Sequence, residues 1–120
     1  MDTMTTTIRN ISEEFSKGNF SSAFGHFDDD IQWEIVGDKI IKGKEDVTAF
    51  CNKMTIEMGS SQLDNTNIIV ENDRVAIEGN CKYLNSEQKP AQIRYCDVYT
   101  FENEKIKVIT SYCISSLLIS

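Results

Sequence analysis

The chain has 120 residues, the size of one domain that buries roughly two-thirds of the surface its unfolded form would expose. Hydrophobic residues make up 40% and charged residues 26%, close to globular averages, which excludes the disordered and fibrous classes. Twelve basic residues against nineteen acidic ones leave a net charge of −7, and no Lys/Arg stripe runs along the chain to track phosphates, so nucleic acid is not an expected partner.

In chain order, Ile8, Ile11 and Phe15 recur at helical spacing and predict a helix from about Thr5 to Ser16, ended by Lys17-Gly18-Asn19. A second short helix is expected over Phe20–Phe27, with Phe20, Ala23, Phe24 and Phe27 inward and Asp28-Asp29-Asp30 closing it as a solvated turn. Ile31 to Val36 alternates apolar and polar residues before Gly37-Asp38 and reads as a short strand. Val47, Phe50, Cys51, Met54 and Met58 then mark a third helix reaching Gly59.

Beyond Ser60 the period falls to two. Strands are expected over about 62–70, 74–84, 91–101 and 105–118, joined by short polar turns, so consecutive antiparallel hairpins are the economical arrangement. With no linker or repeat, residues 1–120 form a single α+β domain in which the N-terminal helices cover a strongly curved antiparallel sheet and enclose an apolar pocket.

The longest apolar run, Leu117-Leu118-Ile119, is far short of a membrane span, and Met1-Asp2-Thr3-Met4-Thr5 lacks the basic and apolar regions of a secretion signal. The expectation is a cytoplasmic protein with no membrane partner. Cys51, Cys81, Cys96 and Cys113 lack the close pairing of zinc or redox motifs and read as reduced, packed thiols, with an inter-strand disulfide as the alternative.

Strand alternation puts Ala91, Ile93, Tyr95, Asp97, Tyr99 and Phe101 on one face, so a single carboxyl group stands among apolar and aromatic neighbours. Such a group either finds partners or carries a raised pKa, which makes Asp97 a site candidate as well as a candidate structural carboxylate. The expected pocket lining is Trp33, Tyr95, Tyr99, Phe15, Phe24, Phe50, Met54 and Tyr112. His26 reads as a cap or surface residue, and the adjacent carboxylates at Asp28–Asp30 lack the spacing of a metal loop, so no metal is expected. On the last strand, alternation puts Ile109 and Cys113 with Lys107 and Ser111 on the outer face, where Cys96 and Val98 extend a candidate homodimer surface.

Trp33-Glu34-Ile35-Val36-Gly37, Ile41 to Phe50, and Tyr95 to Phe101 with Lys105-Ile106 and Ser111-Tyr112 together resemble the SnoaL-like group. That group belongs to the nuclear-transport-factor-two-like superfamily, which includes ketosteroid isomerase. The resemblance implies a cone-shaped fold around an apolar cavity, dimerisation through the outer sheet face, and cofactor-independent isomerase, cyclase or lyase chemistry on a small apolar molecule. It also allows a non-catalytic role in binding a ligand or another protein. By resemblance, Asp97 takes the place of the protonated acid that stabilises an oxyanion, and Glu34 that of the general base. The tyrosine of that oxyanion hole would stand seven residues before Gly18, where this chain has Ile11. Trp33 and Glu34 have opposite parity, so Glu34 reaches the cavity only if a bulge or the strand end turns it.

Overall fold

The computed structural model describes residues 3–59 and 61–117. Met1-Asp2, Ser60 and the end of the expected last strand at Leu118 lie outside the described residues. Helix α1 (Thr3–Ser16) leads into a 3₁₀ segment (Phe20–His26), then β1 (Phe27–Ile35), β2 (Lys39–Lys42) and α2 (Lys44–Met58). Four long strands complete the chain: β3 (Gln62–Glu71), β4 (Arg74–Leu84), β5 (Pro90–Glu102) and β6 (Lys105–Leu117).

Helix α1 stops where glycine lets it. The Gly18 N–H bonds the Phe15 carbonyl and the Asn19 N–H bonds the Glu14 carbonyl, a Schellman closure that needs the positive φ of 97° at Gly18. Its inward face carries Ile8, Ile11 and Phe15 as expected, together with two buried serines, Ser12 and Ser16. Serine adds nothing to an apolar periodicity, so the polar part of this face is silent in the sequence pattern.

The six strands form one mixed, unclosed and curved sheet in the order β2-β1-β6-β5-β4-β3. The hairpins β3–β4, β4–β5 and β5–β6 are antiparallel as expected, whereas β1 lies parallel to β6, so the sheet is not purely antiparallel. Strand β2, which the sequence pattern did not suggest, is a four-residue edge paired with β1. Asp28–Asp30 are not a turn but the start of β1, where Lys107 reaches Asp28 at 3.4 Å and Asp30 at 3.9 Å.

That lysine sits at the feature that most alters the reading of the sequence. Thr100 pairs with Val108 and Phe101 with Ile106, so Lys107 is an extra residue in β6, a β-bulge. Because side chains alternate with a period of two, one inserted residue reverses the facing of everything beyond it. Ile106 and Ile109 therefore both enter the core, with 0% exposure each.

The outer-face assignment of Ile109 and Cys113 is corrected accordingly, because Ser111 and Cys113 turn to the concave side with Ile109. Tyr112 and Ile114 take the outer face, 49% and 71% exposed, and the expectation that Tyr112 lines the pocket is overturned. A second bulge, at Thr66, separates the Asn65–Gly79 pair from the Asn67–Glu78 pair and adds to the curl.

An aromatic cluster centred on Phe15 holds the helices to the sheet. Its ring lies 4.8 Å from Phe20, 5.2 Å from Trp33 and 6.0 Å from Tyr99 between centroids, all near edge-to-face. Phe24 is half-buried against Phe27, outside the cavity, so its expected place in the pocket lining is corrected to core support.

The sheet also needs one glycine for space. Gly79 faces Tyr95 across the β4–β5 ladder, and a Cβ there would sit 2.4 Å from the Tyr95 ring and 2.5 Å from the Asp64 carbonyl oxygen. The tyrosine lies over the vacant position and donates to Asn65 Oδ1 at 2.7 Å, while Asn65 Nδ2 donates to the Glu13 carbonyl of α1 at 2.9 Å. Gly79→Ala is expected to displace this bridge and lower stability by about 1–3 kcal/mol, the usual range for overpacking, measured by denaturant unfolding.

Candidate ligand cavity

A cavity of about 380 Å³ lies between the C-terminal end of α1, helix α2 and the concave face of the sheet. Its size is at the lower end of small-molecule pockets, which run roughly 300–1,000 Å³. Helix α2 anchors through buried Val47 and Cys51 and presents Phe50, Met54 and Met58 to the cavity, while Ile56 stays exposed. Burial pushes the Cys51 thiol up to about 12, so it is an inert packing group.

Five aromatic side chains, Phe15, Phe20, Trp33, Phe50 and Tyr95, line the wall together with Ile35, Leu63, Ile93 and the α2 methionines. Four charged residues line it near the opening: Asp38, Lys39, Lys53 and Glu57. Lys53 pairs with Glu57 at 3.8 Å, and the Lys39 ammonium lies 5.3 Å from the Phe50 ring centroid.

The polar floor is built around Asp97, buried on β5. Ser16 Oγ, on the last turn of α1, donates to Asp97 Oδ2 at 2.7 Å, and Ser111 Oγ, its cross-strand partner on β6, donates to Oδ1 at 2.7 Å. Trp33 Nε1 in turn donates to Ser111 Oγ at 2.9 Å. Tyr99 is wholly buried, hydrogen-bonded to Ser16 Oγ, with the Ser12 carbonyl at 3.3 Å. Its expected place in the pocket lining is therefore corrected: it stands behind the floor.

Donor counting gives this network a direction on one side and two settings on the other. An indole N–H can only donate, so Ser111 accepts from Trp33 and must direct its own proton to Asp97. With Asp97 ionised, protons run from Tyr99 to Ser16 to Oδ2. With Asp97 protonated, the same chain reverses: Oδ2–H donates to Ser16, Ser16 to Tyr99, and Tyr99 to the Ser12 carbonyl. Every hydroxyl proton is used in both settings.

Burial pushes the Asp97 carboxyl above its ordinary 3.8, with the hydrogen bonds from Ser111 and Ser16 pulling it back. Among the described residues no cationic side chain pairs with it. Tyr99 is also raised, by burial first and by the neighbouring Asp97 charge second.

Of the residues expected from the sequence, the cavity brings together Asp97, Trp33, Tyr95, Phe15, Phe50 and Met54. Glu34 is not among the lining residues. It pairs with Ile40 and Thr110 on the face opposite Trp33, since no bulge intervenes at that point of β1. His26 is half-buried at the end of the 3₁₀ segment, away from the cavity. The residues that sequence reasoning missed are Ser16 and Ser111. The first is a serine on the inward side of α1, which an apolar periodicity does not register; the second was hidden by the bulge.

Asp97→Asn is expected to fold, because an amide Nδ2 can donate to Ser16 while its oxygen accepts from Ser111, the pattern of the protonated acid. A carboxyl raised by folding contributes stability that is complete below its ordinary value and lost as pH rises toward the folded value. The stability of the wild type relative to Asp97→Asn should therefore fall as pH rises above the ordinary carboxyl value of 3.8 in denaturant titrations of both proteins. A difference that grew with pH would show the serines outweighing burial.

A profile of the SnoaL-like domain family matches residues 8–109. Among solved structures, an NTF2-like protein of unknown function from Cytophaga hutchinsonii is 48% identical, with 92% of this chain and 99% of that one covered and a TM-score of 0.90. An LEH-like epoxide hydrolase from M. tuberculosis is 19% identical over 92% of this chain and 84% of that one, TM-score 0.72. A candidate SnoaL-like polyketide cyclase from Jannaschia sp. CCS1 is 8% identical over 94% and 89%, TM-score 0.79. At those identities the last two share the fold alone. No protein of curated function matches the chain.

Proposed function

Because this chain belongs to the SnoaL-like domain family, a membership that fixes the scaffold and not a reaction, we propose that it binds one small, mainly apolar organic molecule in the cavity, with the ligand's polar end at Asp97. The observation that carries this reading is the composition of the cavity: five aromatic side chains and two methionines around a single polar floor. The proton-transfer reading, with Asp97 as acid and Glu34 as base, is less favoured. Glu34 stands outside the lining, and the Asp97 proton has a serine to receive it. Four free thiols support a reducing, cytoplasmic setting.

We further propose homodimerisation through the outer sheet face, now with the residues that the bulge places there. Thr110, Val98, Ala76 and Ile69 form a straight cross-strand row, flanked by Tyr112 and Ile114. Glu78 and Arg94 border it with opposite charges, which a two-fold axis would pair. Val98→Glu should convert a dimer into a monomer in light scattering after size exclusion; a monomeric wild type would end this proposal.

Occupancy of the cavity has a built-in reporter, since Trp33 is the chain's single tryptophan and forms part of its wall. A saturable change in Trp33 fluorescence is expected with at least one compact cyclohexyl compound bearing a polar group. Ile93→Phe, which fills part of the cavity, should weaken binding about tenfold or more while leaving the melting temperature within a few degrees. If no such compound perturbs Trp33 at millimolar concentration, the binding reading fails.

A further inference from the structure

The hydrogen-bond bookkeeping of the floor specifies the chemistry of the ligand's polar end. Trp33 N–H is given to Ser111, Ser111 O–H to Asp97, Tyr95 O–H to Asn65, and the protons of Ser16 and Tyr99 are used whichever way their chain runs. What the floor leaves open to the cavity is therefore acceptor capacity: the remaining lone pairs of the Asp97 carboxyl and of the serines, besides the weak thiol donors of Cys81 and Cys113. A ligand carbonyl would meet no waiting donor there. A ligand that brings its own N–H or O–H would.

Charge narrows the choice. Asp97 is a buried carboxyl with no protein cation against it among the described residues, so its ionised form lacks the counter-charge that buried carboxylates ordinarily have. Five aromatic rings line the same space, and aromatic faces attract cations. The wall already holds one ammonium in this way, that of Lys39 near the Phe50 ring. At the opening two lysines are balanced by Asp38 and Glu57, and the whole chain carries −7, so the field does not oppose a cation entering.

We propose that the ligand is a small apolar amine, bound as its ammonium ion with the nitrogen hydrogen-bonded to Asp97 and the hydrocarbon body against the aromatic wall. This rests on the reading of the cavity as a ligand site. It adds the class of ligand.

The test compares three probes of nearly equal size on the wild-type protein: cyclohexylmethylamine, cyclohexylmethanol and cyclohexyl methyl ketone, followed by Trp33 fluorescence and calorimetry. The amine is expected to bind at least about tenfold more tightly than the alcohol and the ketone. Asp97→Asn should remove that preference by weakening the amine at least about tenfold and the alcohol by less than the amine. If the ketone or alcohol binds as tightly as the amine, the amine proposal is overturned and the cavity reading stands. If none of the three binds, the cavity reading itself fails. Should Asp97→Asn not fold, the ranking of the three probes on the wild type decides the matter alone.

Discussion

Enclosing the carboxyl group of Asp97 with no cation against it among the described residues obliges the fold to deliver hydroxyl donors to it from elsewhere in the chain. They come from the last turn of α1 and from the middle of β6, residues 16 and 111, so a single carboxyl joins the helical layer to the sheet. Net hydrogen bonds to a charged group are each worth about 1.5–3 kcal/mol, whereas leaving such a group buried and unmatched costs more than either gains. The position of α1 over the sheet, the closure of that helix at Gly18 and the inward turn of Ser111 all serve this one requirement.

The same arrangement gives the cavity its character. Trp33 is held by its indole N–H and Tyr95 by its hydroxyl, so two wall aromatics are oriented by directional bonds as well as by packing. Gly79 gives Tyr95 the space to lie down, and the bulge at Thr66 accompanies Asn65, which ties the same tyrosine to α1. The apolar wall and the polar floor are parts of one network. A relative that kept the fold but altered the residues at 16, 97 and 111 would keep a cavity of similar shape and lose this floor, which is why shared architecture across distant neighbours does not carry a shared reaction.

The Lys107 bulge shows how a small local feature redirects a whole strand. The extra residue is tied to Asp28 and Asp30 at the start of β1, and beyond it Ile109, Ser111 and Cys113 exchange faces with Tyr112 and Ile114. No glycine or proline marks the spot in Lys105-Ile106-Lys107-Val108-Ile109, where apolar residues fall on both parities. Strict alternation was the natural reading there, and it put Tyr112 in the cavity and Cys113 outside it.

By itself the sequence determined the order of helices and long strands, the inward face of α1 and the alternation of β5 that puts Asp97 among aromatic residues. Those properties are periodic, and a periodic burial pattern is written directly in residue order. Tertiary structure alone decided the parallel pairing of β1 with β6, the facing of β6 beyond its bulge, the placing of Tyr99 behind the floor and of Phe24 in the core, and the exclusion of Glu34. It also chose the partners of Asp97. Hydrogen bonds between residues 81 and 14 positions apart depend on where separate elements meet, and serine carries no mark that says which acceptor it will find.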